Sequence, residues 1–334
     1  MKHHSPTLGG VFVTLALVGA MATTGGSTHV AALQDSVPPD IVRQPLTGVP
    51  VDDAADLIGR PALVVAFDNY STTQPQAGLN QSDIVYELIV EGGITRLLAV
   101  FNSTDSDPVG PIRSGRTQDI PLLSSYDAPI FAHSGGNQGV LAALARTDWI
   151  VLSQGDGMFR DDQYFSVPHN LYANTTELYA LGGAAGDATP QFTYVEPGGE
   201  IDGPLVTTID VRVGEYDVGW AWDASHGLFL RSQDGQPHEL IDGQVSANTV
   251  IVIPVPYRDT PVHAMTPEAE TIGSGEVFVY SGGRAVVGTW RRVDETEPFT
   301  LEANGVPITI VAGRTWVEFA NVDDYEITDD APAT

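Results

Sequence analysis

The chain has 334 residues and a formal net charge of -28 at pH 7, with 43 acidic residues against 15 lysines and arginines and no cysteine. So acidic a chain argues against nucleic acid or an anionic membrane surface as a partner, and the missing cysteine excludes disulfides, thiolate metal ligands and a cysteine nucleophile. Lys2 is the only lysine, so Schiff-base and lysine general-base chemistry fall away and arginine supplies the cations of the mature chain.

Residues 1–32 read as a signal segment: Lys2, the apolar run GGVFVTLALVGAMA and a small-residue exit ending near Ala32. The alternative is an uncleaved anchor, which would be the chain's one membrane contact. Either way the remainder is expected to be extracytoplasmic, secreted or associated with the cell envelope. Residues 33–59 hold four prolines without periodicity and are expected to be a linker, ordered from PLTG at 45–48.

The globular part is expected to be α+β. Residues 60–204 read as a mixed α/β layered domain. PALVVAFD is a buried strand, and DIVYELIVEGG with TRLLAVFNS form two strands joined through Gly92 and Gly93. A helix is expected over roughly 115–125, then the strand APIFAHS and a helix in GNQGVLAALAR. Residues 205–322 read as a smaller β-rich domain, with SGGR at 281–284 as a hairpin turn, and 323–334 as a disordered acidic tail.

Three arginines stand out against this acidity. Arg96, Arg113 and Arg116 each follow a glycine-containing turn near a strand end, where loops of an α/β sheet gather. A guanidinium fork matches carboxylate, phosphate or sulfate. The competing reading pairs each with a local acid, such as Asp83, Glu87, Glu91 or Asp119. In HSGGNQGV, the turn Ser134, Gly135 and Gly136 could offer backbone N–H groups to an anion. His169 and Asn170 would line the rim. The catalytic candidates are Glu91, Asp68, His133 and His169, as acids or bases. No cofactor and no metal is expected: there is no G-x-S-x-G, Walker loop, H-E-x-x-H or complete G-x-G-x-x-G after a strand.

The segments PLTG, RPALVVAFDNYSTTQPQAGLNQSDIVYELIVEGGITRLLAVF, VGPIRSGR, AHSGG and PHNLY resemble the YerB-like family of bacterial extracytoplasmic proteins, and NTVIVIPV, GSGEVFVYSGGRAVVGTW and AGRTW are similar to its C-terminal domain. The resemblance implies a mixed α/β domain followed by a smaller β-rich one, and no reaction. Members are often lipoproteins, a pattern from which this cysteine-free chain departs.

These observations lead to the expectation of an envelope or secreted protein that binds an anionic small molecule or cell-wall fragment, such as a glycan or peptide carboxylate. Two alternatives stand beside it. One is a hydrolase of cell-wall or other glycans, and the other is a structural partner of an envelope protein through Trp220, Trp222 or Trp290. Trp290 and Trp316 sit in alternating apolar runs and are expected in the core.

Overall fold

A computed structural model describes residues 41–53, 59–183, 187–260 and 262–331. The expected signal segment and the first part of the expected linker lie outside the described residues. From Ile41 onward the chain forms one compact unit.

Its centre is an eleven-stranded mixed sheet. The first strands are β1 (Leu63–Asp68), β2 (Ile84–Ile89), β3 (Thr95–Phe101), β4 (Ile130–Ala132) and β5 (Ile150–Leu152). β3 lies antiparallel between β2 and β1, and β4 and β5 continue in parallel beyond β1. On the far side of β2 the strand Thr315–Asn321 pairs with it in parallel, and Thr249–Val255 pairs in parallel with that. The antiparallel hairpin Gly273–Ser281 and Arg284–Arg292 follows, turning at Gly282 and Gly283 with both φ angles positive, as a two-residue hairpin turn requires. Two short strands complete the edge.

The continuous apolar runs follow from this placement. Every residue of β1, β2 and β3 is buried, because both sheet faces are covered. Leu63, Val65 and Phe67 face one core with Leu97, Ala99 and Phe101; Val64 and Ala66 face the other with Leu98 and Val100. A second antiparallel sheet, Thr208–Val213, Tyr216–Asp223 and Leu228–Gln233, covers the first face with Ile209, Val211, Trp220 and Phe229. The other face is covered by α1 (Asp119–Leu123) and α2 (Gln138–Leu144), through Leu122, Leu123, Val140 and Leu144.

Among the described residues the protein is mostly strand and the helices are short, the longest being α3 (Thr175–Gly182) with eight residues. The expected α/β layering of the N-terminal part is therefore present only loosely. The sheet does not stop at the expected boundary near residue 204, because Thr315–Asn321 sits directly beside β2. Two sequence segments thus build one sheet.

Around PLTG, Leu46 is fully buried, Tyr194 Oη donates to its carbonyl at 2.7 Å, and Arg43 donates to the Gly48 and Val195 carbonyls. Two expectations are corrected. The acidic tail includes the strand Ile327–Asp329, which pairs with Thr208–Val213, and Asp330 accepts the N–H groups of Thr207 and Thr208. Trp220, offered as a partner-binding aromatic, is buried at 1% exposure, and Trp222 packs half-buried against the first core; Trp290 lies in the core, where it was expected.

Candidate functional site

The segment Val109–Arg116 is threaded between β1 and the strand β7 (Leu171–Ala173), which itself pairs with β6 (Met158–Arg160). Pro111 O accepts from Asp68 N at 2.9 Å, Arg113 N donates to Ala66 O at 2.7 Å, and Ile112 N donates to Leu171 O at 2.6 Å. Gly110 makes this passage: its φ is +142°, and a Cβ there would stand 2.8 Å from Leu171 O, a contact only glycine avoids. The threading brings Arg113 to the end of β1 and to His169, which lies two residues before β7.

Asp68 is the pivot. Its side chain is 2% exposed, and Oδ2 lies 2.9 Å from Arg113 Nε and 2.6 Å from His169 Nδ1. The arginine contact is an ion pair whose Nε–H does not point along a hydrogen bond. Oδ1 accepts from Tyr70 N at 3.2 Å, so the carboxylate is fixed at both oxygens. The imidazole of His169 stacks on the Tyr70 ring, with centroids 5.9 Å apart. With Nδ1 held by Asp68, Nε2 has no protein partner among the described residues. Arg113 Nη1 and Nη2 are likewise without one. Both side chains reach solvent, at 26% and 28% exposure.

Arg96 stands directly opposite Asp68 in the β1–β3 pairing, and directly opposed residues of an antiparallel pair point to the same face. It is buried, at 4% exposure, and its Nε and Nη1 make no hydrogen bond. Burial is the main reason its guanidinium is pulled down to about 10, Arg116 and Arg113 add to this, and Asp68 and Asp119 oppose it. A desolvated cation with unused donors is costly unless something compensates it.

Other predicted site residues are committed elsewhere. Arg116 Nε and Nη2 both donate to Glu91 Oε2, at 3.0 and 2.7 Å, and Nη1 donates to the carbonyls of Ser114 and Gly115. Glu91 Oε1 accepts from Thr266 Oγ1 at 2.7 Å. Burial pushes the Glu91 carboxyl up, but the bonds from Arg116 and Thr266 outweigh it and leave the group below its usual range. The competing local-acid reading therefore describes Arg116, which joins the 91 turn to the strand His263–Ala269. Asn170 is buried and bonded to Arg160 and Asp162.

The glycine turn has little left to offer an anion. Ser134 N donates to Arg113 O and Gly135 N to His133 Nδ1, and Gly136 lies against Val140. The turn positions Arg113 rather than extending the site. His133 is buried at 1% exposure and stacked on Phe131, and burial lowers its basicity. That removes it from the position a solvent-reaching base needs.

A second polar cluster, absent from the sequence reading, lies under the opposite face. Arg231 Nη2 donates to Glu87 Oε2 at 2.8 Å, and its Nε lies 3.8 Å from Glu318 Oε1. Trp316 Nε1 donates to Glu87 and Trp220 Nε1 to Glu318, both at 3.2 Å. His238 bridges Arg231 and Gln76. Burial, and then the adjacent Glu87, push the Glu318 carboxyl well above its usual range. All three charged side chains are fully buried, so the cluster ties the two sheets together and meets no solvent. Its signal was available: Glu87 and Glu318 interrupt apolar runs, and Arg231 shares the inward parity of Phe229.

A surface cavity of about 760 Å³ opens elsewhere, lined by Ile120, Ser124, Arg146, Trp149 and Glu295 among others, and it contains none of the predicted site residues. The Asp68 cluster is singled out by the unpartnered nitrogens of Arg113 and His169, not by that cavity.

The chain is similar to a known protein and to a solved structure. The relative is the protein of Bacillus subtilis (strain 168) named "Putative lipoprotein YerB", 26% identical over 308 residues, covering 86% of this chain and 90% of that protein. The crystal structure of the YerB protein from Bacillus subtilis superposes with a TM-score of 0.75 at 22% identity, covering 86% of this chain and 99% of that one, and so shares the fold. Residues 46–188 match the N-terminal domain, and residues 208–317 the C-terminal domain, of a family described as a protein of unknown function, DUF3048. With both of its domains matched in order along most of its length, the chain belongs to the DUF3048 family, the two-domain YerB-like proteins.

Proposed function

We propose that this chain is an extracytoplasmic protein that binds an anionic ligand through Arg96 and Arg113, with His169 at the rim. One observation carries the reading: Arg96 is a buried cation with two donor nitrogens unused, beside a second arginine whose terminal nitrogens are also free. A buried cation calls for a compensating charge, and an anion held at Arg113 supplies one. The solvent-reaching fork of Arg113 suits a phosphate, sulfate or carboxylate, and the buried charge of Arg96 adds to the attraction. The acidic remainder of the surface repels bulk polyanions, which favours a small or locally presented group, such as a cell-wall fragment. The extracytoplasmic assignment rests on the signal-like residues 1–32 and on the relative whose name calls it a lipoprotein.

A thermal-shift panel tests this reading, with phosphate, sulfate, acidic sugars and muropeptides offered to the wild type and to Arg113→Ala. A ligand at a hundredfold its dissociation constant stabilises by roughly 2.7 kcal/mol. The expected result is a raised melting temperature in the wild type that disappears in the variant. An equal shift in both proteins would move the site away from Arg113.

A further inference from the structure

We propose that the cavity bordered by Trp149 and Arg146 is a binding site for a neutral oligosaccharide, separate from the Asp68 locus. It does not depend on the anion-binding reading.

The cavity lies where two parallel strands begin. Asp127 and Ala128 precede β4, Asp148 and Trp149 precede β5, and both strands run parallel to β1. Asp68 stands at the far end of β1, so the two loci lie at opposite ends of these strands. A further wall is the turn that carries Glu295. Buried Arg292 fixes that turn: Nη2 donates to the carbonyls of Glu295 and Leu122, at 2.6 and 3.3 Å, and Nε to the carbonyl of Glu297 at 2.7 Å. The volume of about 760 Å³ falls in the range of small-molecule sites, roughly 300–1,000 Å³.

Trp149 is the residue that points to a ligand. It is 9% exposed, and its ring packs edge to face on Phe131 with centroids 6.0 Å apart. Its Nε1–H nevertheless has no partner among the described residues, although a buried indole ordinarily finds an acceptor. The N–H of Trp290 is also unpartnered but sealed in the core, whereas that of Trp149 keeps open surface and its ring borders the cavity. Around it, the side chains of Arg146, Asp127, Asp148 and Glu295 make no hydrogen bond or ion pair among the described residues. Ser124 Oγ and Thr147 Oγ1 donate to the carbonyls of Ile120 and Leu144, both at 2.8 Å, so toward the cavity they act as acceptors.

This mixture of free donors and acceptors selects the ligand. An ammonium group is a donor only; it would leave the Trp149 N–H unanswered and set a second cation beside Arg146. A phosphate or carboxylate is an acceptor only and would face three carboxylates. A hydroxyl donates and accepts at one atom, and hydroxyls on adjacent ring carbons match the two oxygens of a carboxylate or the fork of Arg146. A sugar chain repeats such pairs along its length. A peptide backbone brings one N–H per residue, fewer donors than three carboxylates and two hydroxyl oxygens accept.

The experiment uses the full chain and three uncharged trisaccharides, triacetylchitotriose, cellotriose and maltotriose, followed by tryptophan fluorescence and melting temperature. At least one is expected to shift both signals in the wild type. Arg146→Ala and Asp148→Asn alter exposed side chains without partners among the described residues, so both are expected to melt as the wild type does. Each is expected to weaken the affinity about tenfold, the scale of one lost hydrogen bond to a charged group. Trp149→Phe keeps a ring against Phe131 and removes the N–H, and is expected to lose the fluorescence response. Arg113→Ala is expected to bind the trisaccharide as the wild type does. A wild type that responds to none of the three overturns the proposal, as does affinity that is unchanged in both Arg146→Ala and Asp148→Asn. Binding lost in Arg113→Ala would place the sugar at the Asp68 locus, and a response to triglycine or putrescine in place of the sugars would give the cavity to a peptide or an amine; either result overturns the proposal and leaves the anion-binding reading to its own test.

Discussion

Arg116 gives two nitrogens to a single oxygen of Glu91, at 3.0 and 2.7 Å, whereas Arg113, three residues earlier, has two nitrogens without a partner among the described residues. Two arginines three residues apart thus have opposite duties, one structural and one available. Arg116→Ala is expected to lower stability by about 2 kcal/mol, the scale of a lost charged hydrogen bond, and to leave anion binding within threefold of the wild type. Urea denaturation beside phosphate titration checks both halves; a collapse of binding with unchanged stability would reverse the assignment.

Two carboxylates near this pair respond to pH with opposite sign. Asp119 is buried, and burial pushes it up to about 7 against a hydrogen bond from Arg116 N and the charges of Arg116 and Arg96. Between roughly pH 4, the ordinary aspartate value, and about 7 the folded state holds a proton that the unfolded state has released. Stability from this group is therefore highest below that window and falls as pH rises through it. Asp119→Asn is expected to flatten this decline by a few kcal/mol, on the order of magnitude that linkage allows. Glu91 is lowered by Arg116 and Thr266 despite the opposing effect of burial, so its contribution is complete above the ordinary glutamate range and lost as pH falls through its folded value. Melting temperatures from acid to mildly alkaline pH, for the wild type, Asp119→Asn and Glu91→Gln, separate the two; parallel curves for all three would contradict both assignments.

The buried cluster between the sheets makes a third expectation. Removing Arg231 leaves Glu87 and Glu318 together in a fully buried site, so Arg231→Ala is expected to cost about 3–5 kcal/mol. Glu318, pushed well above the usual range by burial and by Glu87, is expected to tolerate Gln with less than about 1 kcal/mol of change, since the neutral acid and the amide share shape and polarity. Guanidinium chloride midpoints for the two variants test the asymmetry. Equal losses would mean that Glu318 is charged in the folded protein.

Much of the fold was legible because strands buried on both faces leave long apolar runs. PALVVAFD and DIVYELIVEGG gave their strands directly, and Gly282 with Gly283 gave the hairpin turn. The single sheet was not legible, since no local pattern reports that Thr315–Asn321 returns to lie beside β2. Arg113, Asp68 and His169 could be named as candidates from residue type and loop position, but their convergence depends on the threading of Gly110 past β7. The assignment of Arg116 and Asn170 to the site failed because a sequence shows which donors exist and not which are already bonded.

The most direct test of the anion-binding account is the stability of Arg96→Met measured with and without phosphate. A buried guanidinium with two unused donors destabilises the free protein. The account therefore predicts that the variant melts at or above the wild-type temperature without ligand and loses the rise that phosphate gives the wild type. A variant that is strongly destabilised, or one that phosphate still stabilises as it does the wild type, would show that Arg96 is a structural residue and that the anion, if bound, is held elsewhere.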